Sequence, residues 1–151
     1  MASSLVKIDV HLIFHVKSTG VCLRPEDLLR VFAYIGGIIR TIGGIPIIVG
    51  GTPDHIHILS SLPATMSLAD FVRIIKTNSS KWIKSLDVFY GFFAWQDGYG
   101  AFSVSPSILE KTIDYIRNQQ EHHRKISFEE EYRAFLDAYG LEYDSRYYLS
   151  D

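Results

Sequence analysis

The chain has 151 residues, 47% of them apolar and 21% charged, enough for one domain with its own core, which excludes disordered, collagen-like and disulfide-scaffold classes. A single cysteine, Cys22, rules out an internal disulfide and a multi-cysteine zinc site, and is expected to pack as a small apolar side chain in a reducing cytoplasm. The formal net charge of −2, taken as a total, argues against a strongly basic nucleic-acid binder.

The N-terminal apolar run is interrupted by Lys7, Asp9 and His11 and lacks a small-residue cleavage site. No stretch approaches the roughly 18 uninterrupted apolar residues of a membrane span, so no membrane partner is expected. Residues 6–16 alternate. Val6, Ile8, Val10, Leu12, Phe14 and Val16 share one face, and Lys7, Asp9, His11, Ile13 and His15 the other, which predicts a strand. A turn at Ser18-Thr19-Gly20 follows. Pro25-Glu26-Asp27 opens a helix, since proline suits the first turn and acids favour its positive end. Leu28, Leu29, Phe32, Ile35, Ile38, Ile39 and Ile42 give it a buried stripe, and Gly43-Gly44 ends it.

Residues 45–49 and 55–62 read as two strands of a hairpin around Gly50-Gly51-Thr52-Pro53-Asp54. Ser67 caps the next helix, with Asp70 at its third position and a buried face of Leu68, Phe71, Val72, Ile75, Trp82 and Ile83. Residues 92–104 form a strand region broken at Asp97-Gly98-Tyr99-Gly100. A third helix is predicted over 108–123, a fourth over 127–139, and a polar, aromatic tail over 141–151. The order strand, helix, strand, strand, helix, strand, helix, helix predicts an α/β (α+β) fold. It is a ferredoxin-like, RRM-like antiparallel sheet with helices on one face and C-terminal helical additions.

His55-Ile56-His57 places two imidazoles on one face of a strand, while Ile56 points to the other. Histidine is a common ligand for divalent metals, but a third ligand must come from elsewhere. A polar sheet face with two solvated histidines satisfies the same pattern. In the third helix Tyr115 and Gln119 are four apart and so share a face, which His122 and His123 extend. Tyr115 as a packing residue and Gln119 as a surface residue fit that spacing equally. A tyrosine hydroxyl, with a pKa near 10, needs activation to act as a nucleophile, and a nearby cation supplies it.

Five blocks in order resemble one family. Gly50-Gly51-Thr52-Pro53-Asp54-His55-Ile56-His57-Ile58-Leu59 resembles the histidine motif of the single-tyrosine HUH transposases of small insertion sequences and their REP-associated relatives. His11-Leu12-Ile13-Phe14 resembles the family's first strand. Ile75-Lys76 with Ser79-Ser80 and Trp82-Ile83 resembles its second helix. The run from Phe93 to Val104 resembles the block before the catalytic helix. Tyr115-Ile116-Arg117-Asn118-Gln119 with Glu121-His122-His123 resembles the tyrosine helix. The similarity covers nearly the whole chain.

The resemblance implies a DNA strand transferase. Tyr115 would attack a phosphodiester of single-stranded DNA to give a 5′-phosphotyrosine and a free 3′-hydroxyl. His55, His57 and Gln119 would hold Mg²⁺ or Mn²⁺. The family also implies a homodimer in which the tyrosine helix of one subunit can complete the histidine site of the other, with the 103–107 linker as a hinge. Lys17, Arg73, Lys76 and Lys81 are candidate phosphate contacts, and exposed Trp95, Tyr99 or Phe102 candidate stacking platforms for unpaired bases. A solvated helix face and core aromatics are the alternative reading of these residues. One departure from the family is the absence of a dense basic cluster after the first strand, which places hairpin contacts elsewhere or weakens them. Two rival readings stand beside the transferase. One is a catalytically silent relative that binds a single nucleic-acid strand. The other is a zinc hydrolase built on His55, His57 and His122 or His123.

The charge divides unevenly. Residues 1–126, the expected catalytic body, hold 13 Lys and Arg against 10 Asp and Glu, a balance of +3. Residues 127–151, an acidic C-terminal helix and tail of the same domain, hold 2 against 7, a balance of −5. This acidic segment, starting at Glu129-Glu130-Glu131, is expected to face away from DNA.

Overall fold

The computed structural model describes residues 3–151. Strands β1 (Asp9–His15), β2 (Pro46–Thr52), β3 (His55–Ser61) and β4 (Gly100–Val104) form one antiparallel sheet in the order β2-β3-β1-β4. Helices α1 (Leu28–Thr41) and α2 (Leu68–Leu86) cross over between strands, giving the ferredoxin-like arrangement. The C-terminal additions are α3 (Leu109–Arg117), α4 (Gln119–His122) and α5 (Phe128–Ala138). The α+β reading of the sequence holds, including the Ser67 cap, whose hydroxyl accepts from the Asp70 amide at 3.0 Å.

The two-residue period of the strands sorts the molecule into two layers. Val10, Leu12 and Phe14 of β1, with Ile56 and Ile58 of β3, pack beneath α1 and α2 in the main core. The opposite face carries His11, Ile13 and His15, which pair directly with Leu59, His57 and His55. Directly opposed residues of antiparallel strands share a face, so all four histidines of β1 and β3 lie together. The second face is covered by the C-terminal additions α3, α4 and α5. Ile116 of α3 packs with Leu59 and Val104, and Tyr132 and Leu136 of α5 pack with Ile13 and Phe102.

Several boundaries differ from expectation. The region 92–104 contributes only the five residues of β4 and one isolated bridge, Val16 to Trp95; between them the Gln96 amide donates to the His15 carbonyl and Lys76 takes the carbonyls of Gln96, Asp97 and Gly98. The expected helix over 108–123 breaks at Asn118 (φ −99°, ψ 22°), between α3 and α4. Cys22 is exposed rather than packed. Among the described residues no helix is long and apolar enough to cross a membrane.

Gly50 lets α3 sit down on the sheet. A Cβ there would lie 2.7 Å from the Ile116 carbonyl oxygen and 2.9 Å from its Cγ2. Gly50→Ala is therefore expected to lower stability by about 1–3 kcal/mol, as overpacking does, because α3 must lift. A denaturation midpoint equal to that of the parent protein would contradict this docking.

Candidate active site

β3 ends the tight turn after Gly51 and aims His55 and His57 at the second sheet face, where both are buried. Each imidazole is tied back through Nδ1. His55 Nδ1 donates to Asp54 Oδ1 at 2.7 Å, and the Thr52 hydroxyl donates to the same oxygen at 2.9 Å. His57 Nδ1 lies 2.7 Å from His11 Nε2. Both Nε2 atoms therefore turn inward. Such back-bonding fixes ring orientation in metal sites.

α3 and α4 bring Tyr115 and Gln119 over these rings despite the break between the two helices. The Tyr115 ring centroid is 5.7 Å from that of His57 in the same chain. Gln119 is 1% exposed, and its Oε1 lies 3.1 Å from His55 Nε2. His122 Nε2 is 3.3 Å from the Tyr115 hydroxyl.

The residue at the centre is Glu131 of α5, which sequence reasoning did not single out. Its Oε1 accepts from His57 Nε2 at 2.9 Å. Its Oε2 accepts from Gln119 Nε2 at 3.0 Å and from the Tyr115 hydroxyl. His122 Nε2 and His123 Nε2 lie 3.3 and 3.2 Å from its oxygens. A signal was present: Phe128, Glu131, Tyr132, Phe135 and Leu136 follow helical spacing, so one acid stands inside an apolar stripe. Glu131 also corrects the expected placement of the acidic segment. Rather than facing away, it lies across the histidine site, because that stripe needs Ile13 and Phe102 as its floor.

Burial alone would raise the Glu131 carboxyl, but hydrogen bonds from His57, Tyr115 and Gln119 outweigh it and hold the group far below the usual carboxylate range. Burial, then the hydrogen bond and charge of Glu131, push the Tyr115 hydroxyl well above its ordinary value. Burial lowers His57 to about 4, against the opposing pull of Glu131. The unfolded chain thus takes up a proton near pH 6.5 while folded His57 stays neutral down to about 4. This contribution to stability is complete above pH 6.5 and lost as pH falls through 4, an expected loss of about 3 kcal/mol. Urea midpoints of metal-free protein between pH 7 and 4 measure it, and a flat profile would contradict it.

The donor set fits a metal on two observations. With Nδ1 of His55 tied to Asp54, its Nε2 and the Gln119 carbonyl oxygen, each a possible ligand atom, meet 3.1 Å apart. His123 Nε2 is buried with no hydrogen-bond partner, lying near Glu131 but off the bonding direction. Side-chain atoms of His55, His57, His123 and Glu131 lie within 4.8 Å of one another. This cluster can hold a metal ion, and Gln119 borders it.

The candidate DNA contacts lie apart from this centre. Lys17, Arg73, Lys76, Trp95 and Tyr99 line a cavity of about 450 Å³ that shares no residue with the histidine cluster. Lys17 pairs with Asp97 at 3.2 Å, and Arg73 with Asp70 at 3.5 Å. Lys76 donates to the carbonyls of Gln96, Asp97 and Gly98, and burial brings it down to about 8. Lys81 is exposed on α2. Trp95 and Phe102 are buried, with the Trp95 indole donating to Ser79, so neither is the exposed platform expected of it. Tyr99 keeps an exposed ring.

Fold and site together define a class: a ferredoxin-like α+β protein with a buried histidine–carboxylate centre and a tyrosine at its edge. The profile of the family described as "Transposase IS200 like" matches residues 4–119. The chain belongs to this family of IS200-like transposases. Glu131 and His123 lie beyond the matched residues. Among solved structures, a protein of Deinococcus radiodurans R1 assigned as a transposase is 22% identical, with a TM-score of 0.61 over 79% of this chain and 95% of that one. A REP-associated tyrosine transposase bound to a REP hairpin is 15% identical, with a TM-score of 0.59 over 83% of this chain and 74% of that one. At those identities the likeness supports the fold. No curated protein matches the chain.

Proposed function

We propose that the chain is a DNA strand transferase that cleaves and rejoins single-stranded or hairpin DNA through Tyr115. The Tyr115 oxygen attacks the phosphorus and a Tyr–O–P bond forms as the P–O3′ bond breaks. The phenol gives up its proton and the departing 3′-oxygen takes one up. Attack by another 3′-hydroxyl on the 5′-phosphotyrosine reverses the step and rejoins strands without ATP. His55, His57 and Gln119 hold Mg²⁺ or Mn²⁺, with Mn²⁺ favoured by the imidazoles. When bound, the metal neutralises charge on the phosphoryl oxygens.

The observation carrying this reading is Tyr115 placed beside two imidazoles whose Nε2 atoms converge on one point. The family and the hairpin bound by the REP-associated neighbour support DNA as the partner. Lys17, Arg73 and Tyr99 offer contacts for the rest of the strand, and Lys81 an added charge. A homodimer and a cytoplasmic location complete the proposal.

The test is incubation with a hairpin-bearing single-stranded oligonucleotide in Mn²⁺ or Mg²⁺. An SDS-resistant protein–DNA adduct that disappears with chelator is expected. Tight binding with no adduct in either metal would overturn catalysis and leave a silent binder. The His123 nitrogen in the cluster favours one second reading, a metallohydrolase on His55, His57 and His123. Metal-dependent hydrolysis that persists without Tyr115 would mark it.

A further inference from the structure

The centre as folded is closed. His55, His57, Gln119 and Glu131 are each 2% exposed or less. A phosphodiester inside a DNA strand cannot reach buried Nε2 atoms without moving whatever covers them. The cover is α5. Its Tyr132 and Leu136 pack on Ile13 and Phe102, and Gly100 of β4 lets the Tyr132 ring approach where a Cβ would lie 2.7 Å from it. A turn over 123–126 joins α5 to α4, so the helix is tethered at one end to the site.

The carboxylate contacts define an anion site. The oxygens of Glu131 are met by His57 Nε2, Gln119 Nε2 and the Tyr115 hydroxyl, with the Nε2 atoms of His122 and His123 within 3.3 Å. These are polar groups suited to phosphate oxygens, three of them already donating to the carboxylate, set around the nucleophile. The tail continues the same cover. Leu149 accepts from His15 Nε2 at 3.1 Å, and Asp151 accepts from the Ser18 amide and hydroxyl, next to Lys17 at the rim of the basic cavity. The segment doing this carries the balance of −5 against a body of +3.

We propose that residues 127–151 act as a built-in competitor for DNA, with the Glu131 carboxylate standing in the position of the scissile phosphate. The proposal rests on the strand-transferase reading of the site and adds two residues to it. His122 and His123, which meet the carboxylate in the closed form, contact the phosphate once α5 has left.

The experiment is fluorescence anisotropy with a hairpin-bearing single-stranded oligonucleotide and chelator present, so that no cleavage competes. Full-length parent protein is compared with Glu131→Gln and with Leu136→Ala, which loosens α5 without altering an atom of the site. Both variants are expected to bind about tenfold tighter or more, the gain a site mostly closed by its own segment must show. Hydrogen exchange over 128–138 in the parent protein should rise when oligonucleotide binds. Unchanged or weaker binding by both variants, or α5 amides that stay protected in the complex, would overturn the proposal. Tighter binding with no covalent adduct in metal would leave the competitor standing and remove the transferase reading. An adduct from the parent protein with no tightening in the variants would do the reverse. Failure of all three proteins to bind would remove both.

Discussion

Tyr115→Phe is expected to abolish the covalent protein–DNA adduct, a loss on the order of 10⁴-fold or more, while the protein stays folded. The substitution removes one oxygen and leaves the ring. That ring contacts His57, His11, His122 and Phe135, and all four contacts survive. The lost hydroxyl leaves Glu131 still accepting from His57 and Gln119, so the carboxylate keeps two donors. Stability should therefore change little, and the loss reads as chemistry. Cleavage retained in Tyr115→Phe would assign the nucleophile elsewhere. Persistent metal-dependent hydrolysis without an adduct would point to the imidazole cluster itself. Oligonucleotide affinity separates a chemical defect from a binding defect, and it should stay the same or rise, since one tie to the covering carboxylate is gone.

The sheet was legible because strand periodicity is local. Alternation over residues 6–16 and the His55-Ile56-His57 triplet each place side chains on a face with no reference to the rest of the chain. The spacing of Tyr115 and Gln119 survived the break at Asn118 because both residues still turn toward the sheet. What was not legible depends on docking. Glu131 reads as a first-turn acid beside Glu129 and Glu130, and only the packing of Phe128, Tyr132 and Leu136 shows which acid turns inward. Net charge over residues 127–151 carries no direction, so an acidic segment expected to avoid the site could equally lie on it. Trp95 and Phe102 were expected as surface platforms because aromatic side chains serve both cores and stacking surfaces. Burial, which decides between them, is a property of the fold.

His55→Ala and His57→Ala should separate two roles that the intact centre combines. Each removes an inward-facing Nε2, and each is expected to weaken Mn²⁺ binding by about 100-fold or more, since losing even a residue that only hydrogen-bonds to a ligand costs about 10–100-fold. They differ in what they do to Glu131. His55 Nε2 lies 3.6 Å from the carboxylate and faces Gln119 instead, so its loss leaves the bonds of Glu131 intact. His57 donates to the carboxylate at 2.9 Å, and its loss strips a buried charge of its closest imidazole partner. Leaving a buried acceptor short of one donor typically costs about 1–3 kcal/mol, and more when the acceptor is charged. That cost falls on the docked α5, because the helix can avoid it by carrying Glu131 into water. Calorimetric titration with Mn²⁺ should show both variants impaired alike. Hydrogen exchange over 128–138 should rise in His57→Ala and stay at the parent level in His55→Ala. Equal protection in the two would mean that the α5 stripe holds the helix without the carboxylate. Metal affinity retained in either would remove that histidine from the ligand set.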